Sequence, residues 1–183
     1  MRVDAVVDAR ADARADACAP KHEGRRVSID QAWAVLDTVP DPEVPVLSVR
    51  DLGIVREVAE HDGRFEVVLT PTYSGCPATE VIAQSVKDAF SAAALGPVTV
   101  SYRLAPAWTT DWISDNGRRK LREYGIAPPG AAAGTVRFHP RRIACPRCDS
   151  RETEQLSAFG ATACKALYRC VACREPFEYF KPL

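Results

Sequence analysis

Two cysteine pairs near the C-terminal end, Cys145-Pro146-Arg147-Cys148 and Cys170-Val171-Ala172-Cys173, are separated by 21 residues. That spacing lets two short knuckles offer four thiolates to one ion from opposite sides, which is the arrangement of a zinc ribbon. A filled four-thiolate shell leaves no position for water, so the predicted zinc is structural. A module of about 40 residues needs such a staple, because it buries too little apolar surface to hold itself together. Two disulfides would use the same four residues, but they call for an oxidising compartment and a secretory leader. The first 26 residues contain no apolar stretch of that kind. Four-cysteine sites accept iron as well as zinc, so spacing alone leaves a rubredoxin-like centre open.

The 183 residues allow one domain of ordinary size beside this satellite, and 46% hydrophobic residues suffice for its core. No apolar run reaches the roughly 20 residues that span a bilayer, so no membrane association and a cytoplasmic location are expected. Formal net charge is zero, but it is unevenly spread: residues 28–126 carry 9 basic against 14 acidic side chains, and residues 141–183 carry 8 against 5. An acidic body beside a ribbon of net +3 gives little reason to expect nucleic acid as a partner.

Residues 1–26 repeat Asp-Ala-Arg and Ala-Asp-Ala units with few large apolar side chains, which predicts a disordered segment in which Cys18 is a stray thiol. Order is predicted over 27–126. Ser28 and Gln31 form a capping box ahead of Ile29, Trp33 and Leu36 at helical spacing, predicting a helix to about Val39. Pro40, Pro42 and Pro45 then make a stiff connector that presents Asp41 and Glu43 at the surface. Period-two stretches at Leu52–Ala59 and Phe65–Thr70 flank the Asp62-Gly63 hairpin signal. Val81, Ile82, Val86 and Phe90 mark a second helix with Cys76 at its N-cap and Pro77 at its first position. The positive helix end lowers a thiol's pKa there and favours metal binding or nucleophilic chemistry, while the same residue also suits a half-buried packing role.

A third strand over Val98–Leu104 and a third helix from Ile113 to Tyr124, capped by Gly125, complete a small sheet covered by helices, an α+β class. Gly117 leaves room for a neighbouring backbone. Trp108 and Trp112 bracket the start of that helix as core or lid. Residues 127–140, rich in Pro, Gly and Ala, read as a linker that lets the two units reorient, and 141–183 as the ribbon. Ribbon strands are expected at Leu156–Phe159, Ala166–Tyr168 and Phe177–Phe180. Cys164 is either packed beside the metal or an auxiliary thiol that exchanges with the four-ligand set.

The segment Asp41-Pro42-Glu43-Val44-Pro45, followed by Asp51-Leu52-Gly53-Ile54, resembles the small α+β domain of iron-sulfur assembly factors. Adding Pro71-Thr72-Tyr73-Ser74-Gly75-Cys76-Pro77, the run Pro106 to Ile113, and Phe159-Gly160-Ala161-Thr162-Ala163-Cys164-Lys165 before the second knuckle, the ordered chain is similar to the D subunits of bacterial phenylacetyl-CoA epoxidases. The resemblance implies a part in aerobic phenylacetate breakdown. There a multisubunit monooxygenase uses oxygen and NADPH to convert the ring of phenylacetyl-CoA to a 1,2-epoxide. Catalysis in that family rests with a di-iron oxygenase subunit and electron supply with a flavin and iron-sulfur reductase. The D component would be a non-catalytic accessory that matures or repairs an iron-sulfur or di-iron centre of one of these partners.

The residues agree with that division, since no dinucleotide fingerprint, di-iron carboxylate motif or Ser-His-Asp arrangement is present. On this reading Cys76 is a transient iron or cluster ligand, and Asp41 and Glu43 shape its site or serve simply as a turn. The ribbon docks the client, with Tyr168, Phe177, Tyr179, Arg169 and Arg174 as contact candidates, about half of the aromatics being expected to serve the ribbon's own core instead. An iron-binding electron carrier to the oxygenase is the alternative.

Overall fold

The computed structural model describes residues 28–73, 78–130 and 143–182. Cys18, the whole of the expected N-terminal segment, Cys76, Pro77, residues 131–140 of the expected linker and residues 141–142 of the expected ribbon lie outside the described residues. The first helix, α1 (Ile29–Leu36), has the capping box in place: Gln31 N–H donates to Ser28 Oγ, and the Gln31 side chain accepts from Ser28 N–H. It ends before Val39, because Thr38 Oγ1 donates to the Val35 carbonyl at 2.7 Å and Pro40 cannot extend the helix.

Strands β1 (Val55–His61) and β2 (Arg64–Leu69) form the expected antiparallel hairpin. Asp62 and Gly63 both take positive φ at its turn, +51° and +75°, which matches the right-handed twist of the flanking strands. The first strand starts three residues later than its apolar pattern suggests. Asp51 to Gly53 form a turn instead, with Gly53 at φ +72°. α2 (Ala78–Ala92) crosses back, and β3 (Val98–Tyr102) joins the far side of β2 in parallel, so the sheet runs β1-β2-β3. The expected third helix starts two residues later than its apolar spacing suggests. A 3-10 turn at Thr110–Trp112 precedes α3 (Asp115–Glu123), with Ser114 as a new N-cap whose hydroxyl accepts from Gly117 N–H. Close backbone approach at Gly117 is present, since a Cβ there would sit 2.9 Å from the Asp51 carbonyl oxygen.

After α3 the chain does not leave the domain at residue 126. β4 (Ile126–Ala127) pairs in parallel with β7 (Pro176–Phe180), at the edge of a four-stranded sheet ordered β4-β7-β6-β5, with β5 Thr153–Ser157 and β6 Lys165–Cys170. Ala127, expected in the linker, is a strand residue of the ribbon sheet. The seam is packed as well as hydrogen-bonded: Phe180 and Cys164 join the core of Leu36, Val67, Phe90 and Trp108. Phe180 and Trp108 lie 6.3 Å apart at their ring centroids. Free reorientation of the two units is therefore corrected to a shared sheet and a shared core, because their facing apolar side chains are buried against each other.

Candidate functional site

Each knuckle turns in the same way. Asp149 and Arg174, the residues directly after Cys148 and Cys173, have positive φ of +62° and +64°. Cys145 N–H donates to the Ser150 carbonyl, Cys170 N–H to the Glu175 carbonyl, and Cys173 N–H reaches Cys170 Sγ at 3.5 Å. All four Sγ atoms lie within 4.8 Å of one another, with Cys145–Cys173 at 3.8 Å and Cys148–Cys170 at 3.5 Å. Metal–sulfur bonds of about 2.3 Å in a tetrahedron place sulfurs about 3.8 Å apart, so the four residues fit one ion. Cys145 and Cys170 are buried, and Cys148 and Cys173 face solvent. Of the three candidate docking aromatics, Phe177 and Tyr179 are the ones that serve the ribbon's own core, with Tyr168 packed on both. Arg169 pairs with Glu154, and Arg174 is exposed.

The second locus lies at the seam. The proline-spaced connector does not hold Asp41 at the surface: Asp41 is 5% exposed, and its Oδ1 accepts from Glu43 N–H at 2.9 Å and Val44 N–H at 2.7 Å. The turn closes on itself, and that closure carries the carboxylate inward. Glu43 is half-buried beside it. Both line a pocket with Leu52, Ile54, Thr72, Thr79 and Cys164. Thr72 and Thr79 stand in sequence on either side of residues 74–77.

Cys164 is absent from the knuckle tetrahedron. Its Sγ points across the seam, 4.0 Å from Glu43 Oε2 and 2.9 Å from Thr162 Oγ1. Burial raises the Asp41 carboxyl above its ordinary value, against the two backbone N–H groups and the Lys165 ammonium that pull it down. Burial and then the Asp41 charge raise Glu43, again opposed by Lys165. Burial also raises the Cys164 thiol, with Glu43 adding to the effect. Lys165, which sequence reading passes over, is buried and paired with Glu178 at 2.8 Å. Nothing in its surroundings in sequence marks it, because the pairing depends on the register of β6 against β7.

Sequence reading also misses what Asp51 does. Its carboxylate is 5% exposed and accepts from Ser114 Oγ, Asn116 Nδ2 and Lys120 Nζ, the last at 2.5 Å. Burial alone would raise this carboxyl, but the hydrogen bonds from Lys120, Asn116, Ser114 and the Ser48 N–H outweigh it and hold it down at about 2. A depressed folded-state pKa stabilises the fold above the unfolded value near 3.9, and that contribution is lost as pH falls through about 2. Asp51→Ala leaves these donors without their acceptor and should cost about 2–4 kcal/mol. Urea unfolding at neutral pH would measure it, and the difference from wild type should narrow below about pH 4.

Family models match both units of the chain. The model of the family described as "Iron-sulfur cluster assembly protein" matches residues 29–101, and that of the "PaaD zinc beta ribbon domain" matches residues 130–181. An Escherichia coli (strain K12) protein, provisionally named as the D subunit of 1,2-phenylacetyl-CoA epoxidase, is 50% identical over 154 residues, covering 84% of this chain and 92% of its own length. The chain belongs to this family of epoxidase D subunits. A shorter relative from Porphyromonas gingivalis (strain ATCC BAA-308 / W83), named "Fe-S protein maturation auxiliary factor", is 34% identical over 89 residues, 48% of this chain and 84% of that protein. Among solved structures, the domain of unknown function DUF59 from Bacillus anthracis superposes with a TM-score of 0.47 at 26% identity, over 50% of this chain and 89% of its own. The family thus joins an assembly-type unit to a ribbon, and in this chain the two meet around Asp41, Glu43 and Cys164. Among the described residues no helix is long and apolar enough to cross a membrane.

Proposed function

We propose that this chain is a non-catalytic accessory component of a phenylacetyl-CoA ring 1,2-epoxidase system, and that it matures or repairs an iron-sulfur or di-iron centre in a partner protein. The observation that carries the reading is the 50% identity across 92% of a relative named as the D subunit of that epoxidase, in a chain whose larger unit matches an iron-sulfur assembly family. The reductase and the di-iron oxygenase are the two candidate clients. Zinc is the structural ion of Cys145, Cys148, Cys170 and Cys173, because a closed four-thiolate shell suits an ion that neither turns over nor leaves. Iron is cargo on this reading. Cys76 is its transient ligand, and Asp41 and Glu43 lend negative charge to the pocket that they line.

The test is metal analysis with a visible spectrum on protein purified without oxygen, alongside Cys76→Ser in a reconstituted epoxidase pathway. About one zinc per chain in both proteins is expected, with labile iron and epoxidase activity dependent on Cys76. Full activity in Cys76→Ser would overturn the maturation role assigned to that thiol. Stable iron on the ribbon thiols, redox-active whether or not Cys76 is present, would replace maturation with electron transfer.

A further inference from the structure

The turn that carries Cys164 is built with more care than a packed thiol requires. Gly160 leaves its missing Cβ position 2.7 Å from Glu178 Oε1, and that same oxygen accepts from Ala161 N–H at 2.8 Å. Glu178 Oε2 holds the buried Lys165. Gly160 N–H donates to the Lys165 carbonyl, Lys165 N–H to that of Thr162, and Lys181 N–H to that of Cys164 itself. The Cys164 backbone is thereby fixed on both sides, and its thiol, 5% exposed, is directed at the carboxylate of another unit.

Among the described residues, the cation that acts on both Asp41 and Glu43 is Lys165, which is shared with Glu178. Lys165 is engaged by Glu178, and among the described residues no ion pair joins Asp41 or Glu43, although Asp41 is almost wholly buried. Its Oδ1 is taken by two backbone N–H groups, which soften the cost of burial but supply no full positive charge. Carboxylates buried in this way are ordinarily paired or coordinate a metal.

Distance and volume select the guest. A divalent transition ion bonds thiolate sulfur at about 2.3 Å and carboxylate oxygen at about 2.0–2.2 Å. Those lengths together exceed the 4.0 Å between Cys164 Sγ and Glu43 Oε2, so one ion spans the gap without movement of the backbone. The free interior of the pocket is the size of a single water or ion, too small for a cluster. A mixed thiolate and carboxylate pair suits borderline ions such as ferrous iron, cobalt and zinc.

We propose that Cys164 and Glu43 bind one divalent transition-metal ion between them, with Asp41 balancing its charge, so that the ribbon supplies a ligand to the pocket of the assembly-type unit. This deepens the maturation reading and rests on it for the identity of the natural ion, ferrous iron. Binding forms a metal–sulfur bond and releases the thiol proton to solvent, so affinity rises with pH. The ribbon is then more than a docking tag, since it completes the site.

Cobalt(II) titration of reduced, zinc-loaded full-length protein tests this. About one further equivalent should bind, with thiolate-to-cobalt charge-transfer absorption and with the ribbon zinc retained. Cys164→Ala should abolish that band, and Glu43→Gln, at a half-exposed position, should weaken binding about ten- to a hundred-fold while leaving zinc content and near-ultraviolet dichroism unchanged. No band in the wild-type protein, or an undiminished one in Cys164→Ala, overturns the proposal. A band that survives Cys164→Ala but vanishes in Cys76→Ser overturns it while leaving the maturation reading intact. A band dependent on Cys164, together with full epoxidase activity in Cys76→Ser, sustains the site and removes the role given to Cys76.

Discussion

Removing the ion from the four knuckle thiols, with a strong chelator or by Cys170→Ser, should unfold the ribbon and lower the melting temperature of the helical unit with it. A four-thiolate zinc site contributes about 10–16 kcal/mol of apparent binding free energy at neutral pH, comparable to the whole stability of a typical domain. The ribbon has little to set against that loss. Its buried core is Ala127, Ile143, Cys145, Cys170, Phe177 and Tyr179, and two of those six are knuckle cysteines. The effect reaches further because Phe180, 1% exposed, belongs to the core of the other unit. Withdrawing it resembles a buried Phe→Ala change, about 3–5 kcal/mol, and Ile126 and Ala127 lose their pairing with β7 as well. A fall of about 10 °C or more in the transition of the helical unit is expected by calorimetry. If chelation abolished only the ribbon signal and left that transition unmoved, the seam would contribute nothing to stability.

The seam also explains which parts of the molecule can be read from sequence. Capping at Ser28, the Asp62-Gly63 turn and the α2 periodicity are local physics, written in residues a few positions apart, and they appear where expected. The knuckles are local too, two Cys-x-x-Cys pairs each closing its own turn. What sequence cannot disclose depends on register between distant segments. Asp41 looks solvated because prolines flank it, yet the Val44 and Glu43 N–H groups fold its carboxylate inward, into a pocket that it lines together with Cys164, more than 120 positions later in the chain. Phe177 and Tyr179 alternate with Glu178 along β7, so period-two patterning alone leaves open which face of the ribbon sheet is buried. Ala127 has the composition of a linker around it, and only the exposed edge of β7 makes it a strand.

Gly53→Ala should be the most damaging single substitution in the helical unit, at about 4 kcal/mol or more. A left-handed φ of +72° already costs an alanine about 1–2 kcal/mol. The larger part is steric: the new Cβ would stand 2.2 Å from the Trp112 carbonyl oxygen, 2.7 Å from its carbon and 2.9 Å from the Trp112 Cβ. These atoms have little freedom to yield. Trp108 Nε1 donates to the Leu52 carbonyl at 3.0 Å, Ser114 N–H donates to that of Asp51 at 2.9 Å, and Arg56 lies 3.6 Å over the Trp112 ring. The two loops are laced on both sides of Gly53, so relief of the clash requires breaking those bonds. Gly117→Ala is the matched comparison. It meets the Asp51 carbonyl at 2.9 Å within a helix, where overpacking costs about 1–3 kcal/mol without the φ penalty. Urea unfolding of both variants would rank them, and a Gly53→Ala protein within about 1 kcal/mol of wild type would mean that the loops separate freely. Leu52 and Ile54, on either side of Gly53, both line the pocket, so displacement of this turn should weaken cobalt binding at Cys164 and Glu43 in any Gly53→Ala protein that still folds. Loss of stability with an unchanged cobalt affinity would show that the turn supports the fold but does not shape the pocket.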